Sequence, residues 1–96
     1  MTVQTQRVLK RATAILPASS DELVMRGIAA ETADRIVALK RSEKRLDAKY
    51  NTLGNLEQQI KDTGVSPDDH TMYNDLLEWR ALRYEMAALI NLLETL

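Results

Sequence analysis

Apolar residues return every three to four positions along most of the chain, and the breaks in that rhythm divide it into helices. In the first segment, over about 2–16, Val8, Leu9, Ala12, Ile15 and Leu16 share one face, and Arg7, Lys10 and Arg11 share the other. Pro17 ends this amphipathic helix, because its ring cannot continue the hydrogen-bond ladder. Ser19 with Glu22 three residues later is a capping-box pattern that restarts one. Gly27, followed by apolar Ile28, then reads as a helix end. That predicts a short helix over about 20–26 and a new helix from about 30. The alternative is an unbroken helix that tolerates Gly27 at about 1 kcal/mol.

From about 30 to 62 the pattern approaches a heptad. Ile36, Leu39, Leu46, Tyr50, Leu53 and Ile60 recur at seam spacing, with Glu43 and Glu57 in the same series. A repeat near 3.5 residues implies a supercoiled, coiled-coil-like seam against a partner helix, and at 1.5 Å per residue this helix extends roughly 50 Å. Asn51, Gly54 and Asn55 are its weak points. The segment 63–69 is the clearest turn: Gly64 closes one helix, Ser66 caps the next, Pro67 takes its first position, and Asp68 and Asp69 complement its dipole. So short a connection joins antiparallel neighbours. The last helix, about 67–95, carries a stripe of Met72, Leu76, Trp79, Met86, Ile90 and Leu93. Leu82, Leu89 and Leu96 flank it on one side, Tyr73 and Tyr84 on the other. This arc is wider than one neighbouring helix covers. The predicted fold is therefore all-α: a long antiparallel helical hairpin with an N-terminal amphipathic helix packed on it, three to four helices in one domain spanning 1–96.

Composition narrows the chemistry. Ninety-six residues make at most one domain, whose core is marginal. The absence of cysteine removes disulfides and thiolate metal sites and fits a reducing compartment. His70 is the single histidine, so no multi-histidine zinc site forms in one chain, and the acids lack the spacing of a calcium loop. The three glycines are isolated, so no phosphate-cradling loop exists. His70 falls in the first turn of the last helix, where solvation is the simpler reading than catalysis. No catalytic residue, metal or cofactor is assigned, and the chain reads as non-enzymatic. The N-terminal stretch alternates apolar residues with Gln, Arg and Lys, unlike a signal peptide. The apolar run Met86–Leu96 contains Asn91 and Glu94 and is too short to span a bilayer. A cytoplasmic protein with no membrane partner is expected.

A net charge of −1 conceals a split. Residues 1–49 hold ten Lys/Arg against six Asp/Glu, whereas residues 50–96 hold three against eight. Such asymmetry suggests self-complementarity or a basic contact region. Lys40, Arg41, Lys44, Arg45 and Lys49 form a helical ridge suited to tracking phosphates, which makes a nucleic-acid-binding regulator the alternative function. Glu43 and Asp47 interrupt the ridge, and it has no aromatic for base stacking. The bland reading is a solvated face.

Two features of the last helix bear on partners. Arg83 falls between Trp79 and Met86 on its apolar stripe, at nearly the height of Glu43 on the facing seam, which predicts an interior structural ion pair between Glu43 and Arg83. The surplus apolar arc predicts a protein interface formed by Trp79, Leu82, Met86, Leu89, Ile90, Leu92, Leu93 and Leu96, against a second copy of the chain or a hetero-partner helix. For Trp79 core packing is the simpler alternative. The turn Ser66-Pro67-Asp68, with Tyr73 and Leu77 after it, resembles over a short stretch the turn and second helix of type III secretion needle subunits. In size and helicity the chain also resembles the dimeric chorismate mutases, whose dicarboxylate substrate needs inward-facing basic groups. Arg35, Lys49 and Arg83 are the residues to test for that role, and their spacing does not match. A small dimeric helical enzyme is the weakest alternative. The leading expectation is a helical protein–protein interaction module: an adaptor, chaperone-like partner or assembly subunit.

Overall fold

A computed structural model describes residues 1–96 and is helical almost throughout. Four helices follow in order: α1 (Val3–Ile15), α2 (Ser20–Tyr50), α3 (Leu53–Thr63) and α4 (Thr71–Thr95). The molecule is elongated, 62 × 24 × 19 Å, with a radius of gyration of 20.2 Å. A compact chain of this length would measure about 12–13 Å. α2 and α4 form the antiparallel hairpin, α3 contacts both, and α1 packs against α2 alone.

Local chemistry sets the starts. Thr2 caps α1 by accepting from the Thr5 amide at 3.1 Å. Ser19 caps α2 by accepting from the Glu22 amide at 3.1 Å, and the Ser19 hydroxyl also bonds the Glu22 carboxylate. α2 then runs unbroken through Gly27, so the helix break expected there does not occur. Gly27 sits where an added Cβ would meet nothing within 4 Å. Its backbone stays helical because nothing rewards a turn at that place.

The break lies further on. Asn51 adopts a φ of 72°, the left-handed region that asparagine tolerates better than most residues. Thr52 beside it restarts the helix by accepting from the Asn55 amide at 3.0 Å. The single helix expected over 30–62 is therefore two, and the break resets the helical phase. Leu56 turns inward and is fully buried, while Glu57, which the uninterrupted heptad would point inward, reaches out to Arg80. The last helix begins at Thr71 rather than Pro67. The Asp69 carboxylate, not Ser66, takes up the first free amide, that of Thr71, at 2.9 Å. The Thr71 hydroxyl and amide together hold the Asp69 carboxyl below its ordinary range.

The core is small and lies toward the turn. Leu39, Leu46, Tyr50, Leu56, Leu76, Trp79 and Leu82 are its buried members, with Leu53, Ile60, Met72, Met86 and Leu89 packed around them. Trp79, Leu46 and Leu56 are wholly buried. Here α4 has two neighbours, α2 and α3. Beyond Leu82 it has α2 alone, and no residue of α4 past that point is buried. No residue before Thr32 is buried either.

Candidate functional site

The two long helices are tied by a ladder of polar contacts, and its interruption defines the candidate surface. Nearest the turn, Asp75 lies on the inner side of α4, one turn before Trp79. It accepts from the Tyr50 hydroxyl at 2.6 Å and from Lys49 Nζ at 2.8 Å. Burial pushes the Asp75 carboxyl up, but the bonds from Lys49 and Tyr50 outweigh it and hold the group below its ordinary value. Burial and the same bond push the Tyr50 hydroxyl up, so it remains a donor. Next come two arginine–carboxylate pairs. Arg45 Nη2 reaches both oxygens of Glu78 at 2.7 and 2.8 Å. Arg35 grips Glu85 in a fork, Nε at 2.7 Å and Nη2 at 3.0 Å. The bond from Arg35 holds the Glu85 carboxyl down.

Glu43 and Arg83 meet at 3.1 Å. The pair lies at the rim, since the Arg83 side chain is 53% exposed and Glu43 23%, which corrects the interior placement. Glu43 also accepts from the Trp79 indole at 3.0 Å, and the Arg83 guanidinium lies 5.9 Å from the Trp79 ring centre. Glu43 is thus the hydrogen-bond acceptor for the largest wholly buried side chain of the hairpin, a role invisible without the fold.

Past Arg35 and Glu85 the ladder stops. One heptad further toward the open end, seven residues earlier on α2 and seven later on α4, the same pair of positions is Ile28 and Leu92. They are 39% and 40% exposed. Val24 and Leu96 continue the two rows by one turn and are also exposed. The rows that carry ion pairs midway carry bare aliphatic groups at the end.

The other expected site residues distribute as follows. Trp79 and Leu82 belong to the core and not to an interface, because α3 and the second half of α2 close over them. Met86, Leu89 and Leu93 are half-buried along the α2 seam, while Ile90, Leu92 and Leu96 are exposed. Of the basic ridge, Arg45 and Lys49 are taken by Glu78 and Asp75, leaving Lys40, Arg41 and Lys44 without an ion-pair partner. Arg35, Lys49 and Arg83 each hold a carboxylate of this chain at the surface. His70 is exposed at the start of α4 and makes no capping bond. No three His, Asp or Glu side chains converge as metal ligands. The largest concavity, about 480 Å³, is an open apolar groove where α1 diverges from α2, lined among others by Val8, Leu9, Ala12 and Leu23. No helix is long and apolar enough to cross a membrane.

No protein-family model, curated protein or solved structure matches this chain. The class is therefore defined by the architecture alone: an all-helical hairpin, closed by a third helix at its turn and bare at its other end.

Proposed function

We propose that the chain is a non-enzymatic helical protein–protein interaction module, an adaptor, chaperone-like partner or assembly subunit, working through its open end. One observation carries the reading: Ile28 and Leu92 stand exposed in the two rows that hold Arg35 and Glu85 one heptad away. A surface meant to stay wet is served by the ion pairs, whereas aliphatic groups in those positions are stabilised by being covered, each by about 1 kcal/mol for the two-fifths of its surface still exposed. The absence of cysteine suits action in the reducing cytoplasm. Capture from the native host tests the reading. Wild-type chain should retain a specific protein, whether its own kind or another, that Leu92→Glu with Leu96→Glu retains at least about tenfold less. Identical profiles from the two baits would refute it.

The nucleic-acid reading keeps a narrower footing in Lys40, Arg41 and Lys44, the ridge cations that hold no carboxylate. Three phosphate contacts would give a log–log salt slope of about −3 on duplex DNA. A flat response at low salt removes this alternative.

A further inference from the structure

Resting on the interaction reading, we infer that the occupant of the open end is a second copy of this chain, each copy laying its α1 across the Val24, Ile28, Leu92 and Leu96 surface of the other.

The argument begins with what α1 lacks. It is a well-formed, capped helix, yet none of its residues is buried. It touches one neighbour, and Leu9, Ala12 and Thr13 are its only half-buried positions. Val8 and Ile15 lie beside that strip and are 61% and 80% exposed. An isolated helix of 13 residues is marginal in water, so its stability has to come from packing on an apolar face. Its own α2 supplies a small part of that packing. The bare rows of α2 and α4 are the matching deficit: an apolar surface in want of a helix, at the same end of the molecule.

Charge identifies the fit. Residues 1–20 contain Arg7, Lys10 and Arg11 and no acid, and none of the three takes part in an ion pair. From Arg35 toward the open end, the α2 row is acidic where it is not apolar. Glu31 stands between Ile28 and Arg35 at helical spacing, Asp21 stands one turn before Val24, and neither has a cationic partner. A basic amphipathic helix is what this surface attracts, and the chain carries one. The connection Leu16–Ser19 keeps α1 beside α2, with an open groove lined by Val8, Leu9, Ala12 and Leu23, and with Val8 and Ile15 mostly exposed. A reciprocal exchange between two copies satisfies both edges and both surfaces with one two-fold axis, the commonest assembly symmetry.

The contact has apolar surface to bury: Val8 and Ile15 are 61% and 80% exposed on α1, and Val24, Ile28, Leu92 and Leu96 are 37%, 39%, 40% and 43% exposed on the surface it would cover.

Light scattering coupled to gel filtration, at tens of micromolar, decides the point. The wild type should run as a dimer. Val8→Glu with Ile15→Glu, on one side of the contact, and Leu92→Glu with Leu96→Glu, on the other, should each raise the dissociation constant at least about 100-fold with helicity retained. Val37→Glu, at an exposed site of α2 away from these rows, should leave the dimer intact. A monomeric wild type overturns the inference. If that monomer binds a hydrophobic dye at the Leu92 and Leu96 surface, the interaction reading survives with another occupant, and if it binds none, both fall. A dimer indifferent to Val8→Glu with Ile15→Glu overturns the assignment of α1.

Discussion

The two ends of this hairpin are built from similar residues and reach opposite outcomes. At the turn end α4 lies against α2 and α3, and Trp79, Leu46 and Leu56 lose all contact with water. At the open end α4 lies against α2 alone, and Ile90, Leu92 and Leu96 keep two-fifths or more of their surface. Helix propensity does not separate the two ends of α4, since it is continuous helix through both. The number of neighbours does. A helix with apolar groups over more than half its circumference needs two covers, and the chain supplies the second only where α3 reaches. The polar ladder follows the same division: between the helices it runs from Asp75 to Glu85 and then gives way to Ile28 and Leu92.

Substitutions should reproduce the contrast. Trp79→Ala is expected to have the largest effect, costing about 3–5 kcal/mol in urea unfolding, because it opens a cavity in the packed half and deprives Glu43 of its indole donor. Leu92→Ala, removing an aliphatic group of similar chemistry from the open half, should cost under about 1 kcal/mol in the isolated monomer. Equal losses at the two sites would abolish the distinction.

The Glu43 rim sharpens the packed half. Glu43→Leu should cost about 1–3 kcal/mol by stranding the buried Trp79 indole. Arg83→Met should cost less than about 1 kcal/mol, since that side chain is half exposed. Because the indole stays orphaned whether or not Arg83 is present, the double variant should recover only a small part of the Glu43→Leu loss. Near-complete recovery in a double-mutant cycle would show that the ion pair, and not the indole bond, is what Glu43 serves.

The Asp75 site gives a pH signature. Its carboxyl titrates below the ordinary value of 3.8, so the folded state prefers the ionised form. That preference contributes stability at all pH above the unfolded value and is lost as pH falls below about 4 toward the lower folded value. Thermal melts from pH 6 to pH 2 should show a steeper acid loss in the wild type than in Asp75→Asn. Identical slopes would mean that the carboxylate is not held ionised by Lys49 and Tyr50. Two smaller effects test where the helix breaks. Gly27→Ala should stabilise by up to about 1 kcal/mol, because it adds a good helix former in open space. Asn51→Ala should destabilise by about 1 kcal/mol, because alanine resists the φ of 72°.

Much of the architecture was legible from the chain. The hairpin followed from Gly64 and the polar turn after it, and Ile36, Leu39, Leu46 and Tyr50 followed from seam spacing. The break was misplaced because glycine is the stronger breaker in isolation, whereas Asn51 with Thr52 works as a pair, one leaving the helix and the other capping the next. That phase reset hid Leu56 and wrongly turned Glu57 inward. The interface group of α4 was readable as a surplus of apolar residues, but which of them would be covered depended on where α3 ends. The chain alone therefore did not divide Trp79 and Leu82 from Leu92 and Leu96. The bonds of Arg45, Lys49 and Tyr50 join residues more than 20 positions apart and needed the folded register.

Hydrogen exchange followed by mass spectrometry over a dilution series tests the division of the molecule most directly. Residues 36–50 and 75–82 should keep strong protection at every concentration. Val3–Ile15, the first two turns of α2 and the turns after Leu89 should lose protection as the protein is diluted, because in the proposed dimer their cover comes from the second copy. Protection that is uniform along α2 and α4 at the lowest concentration would contradict the account.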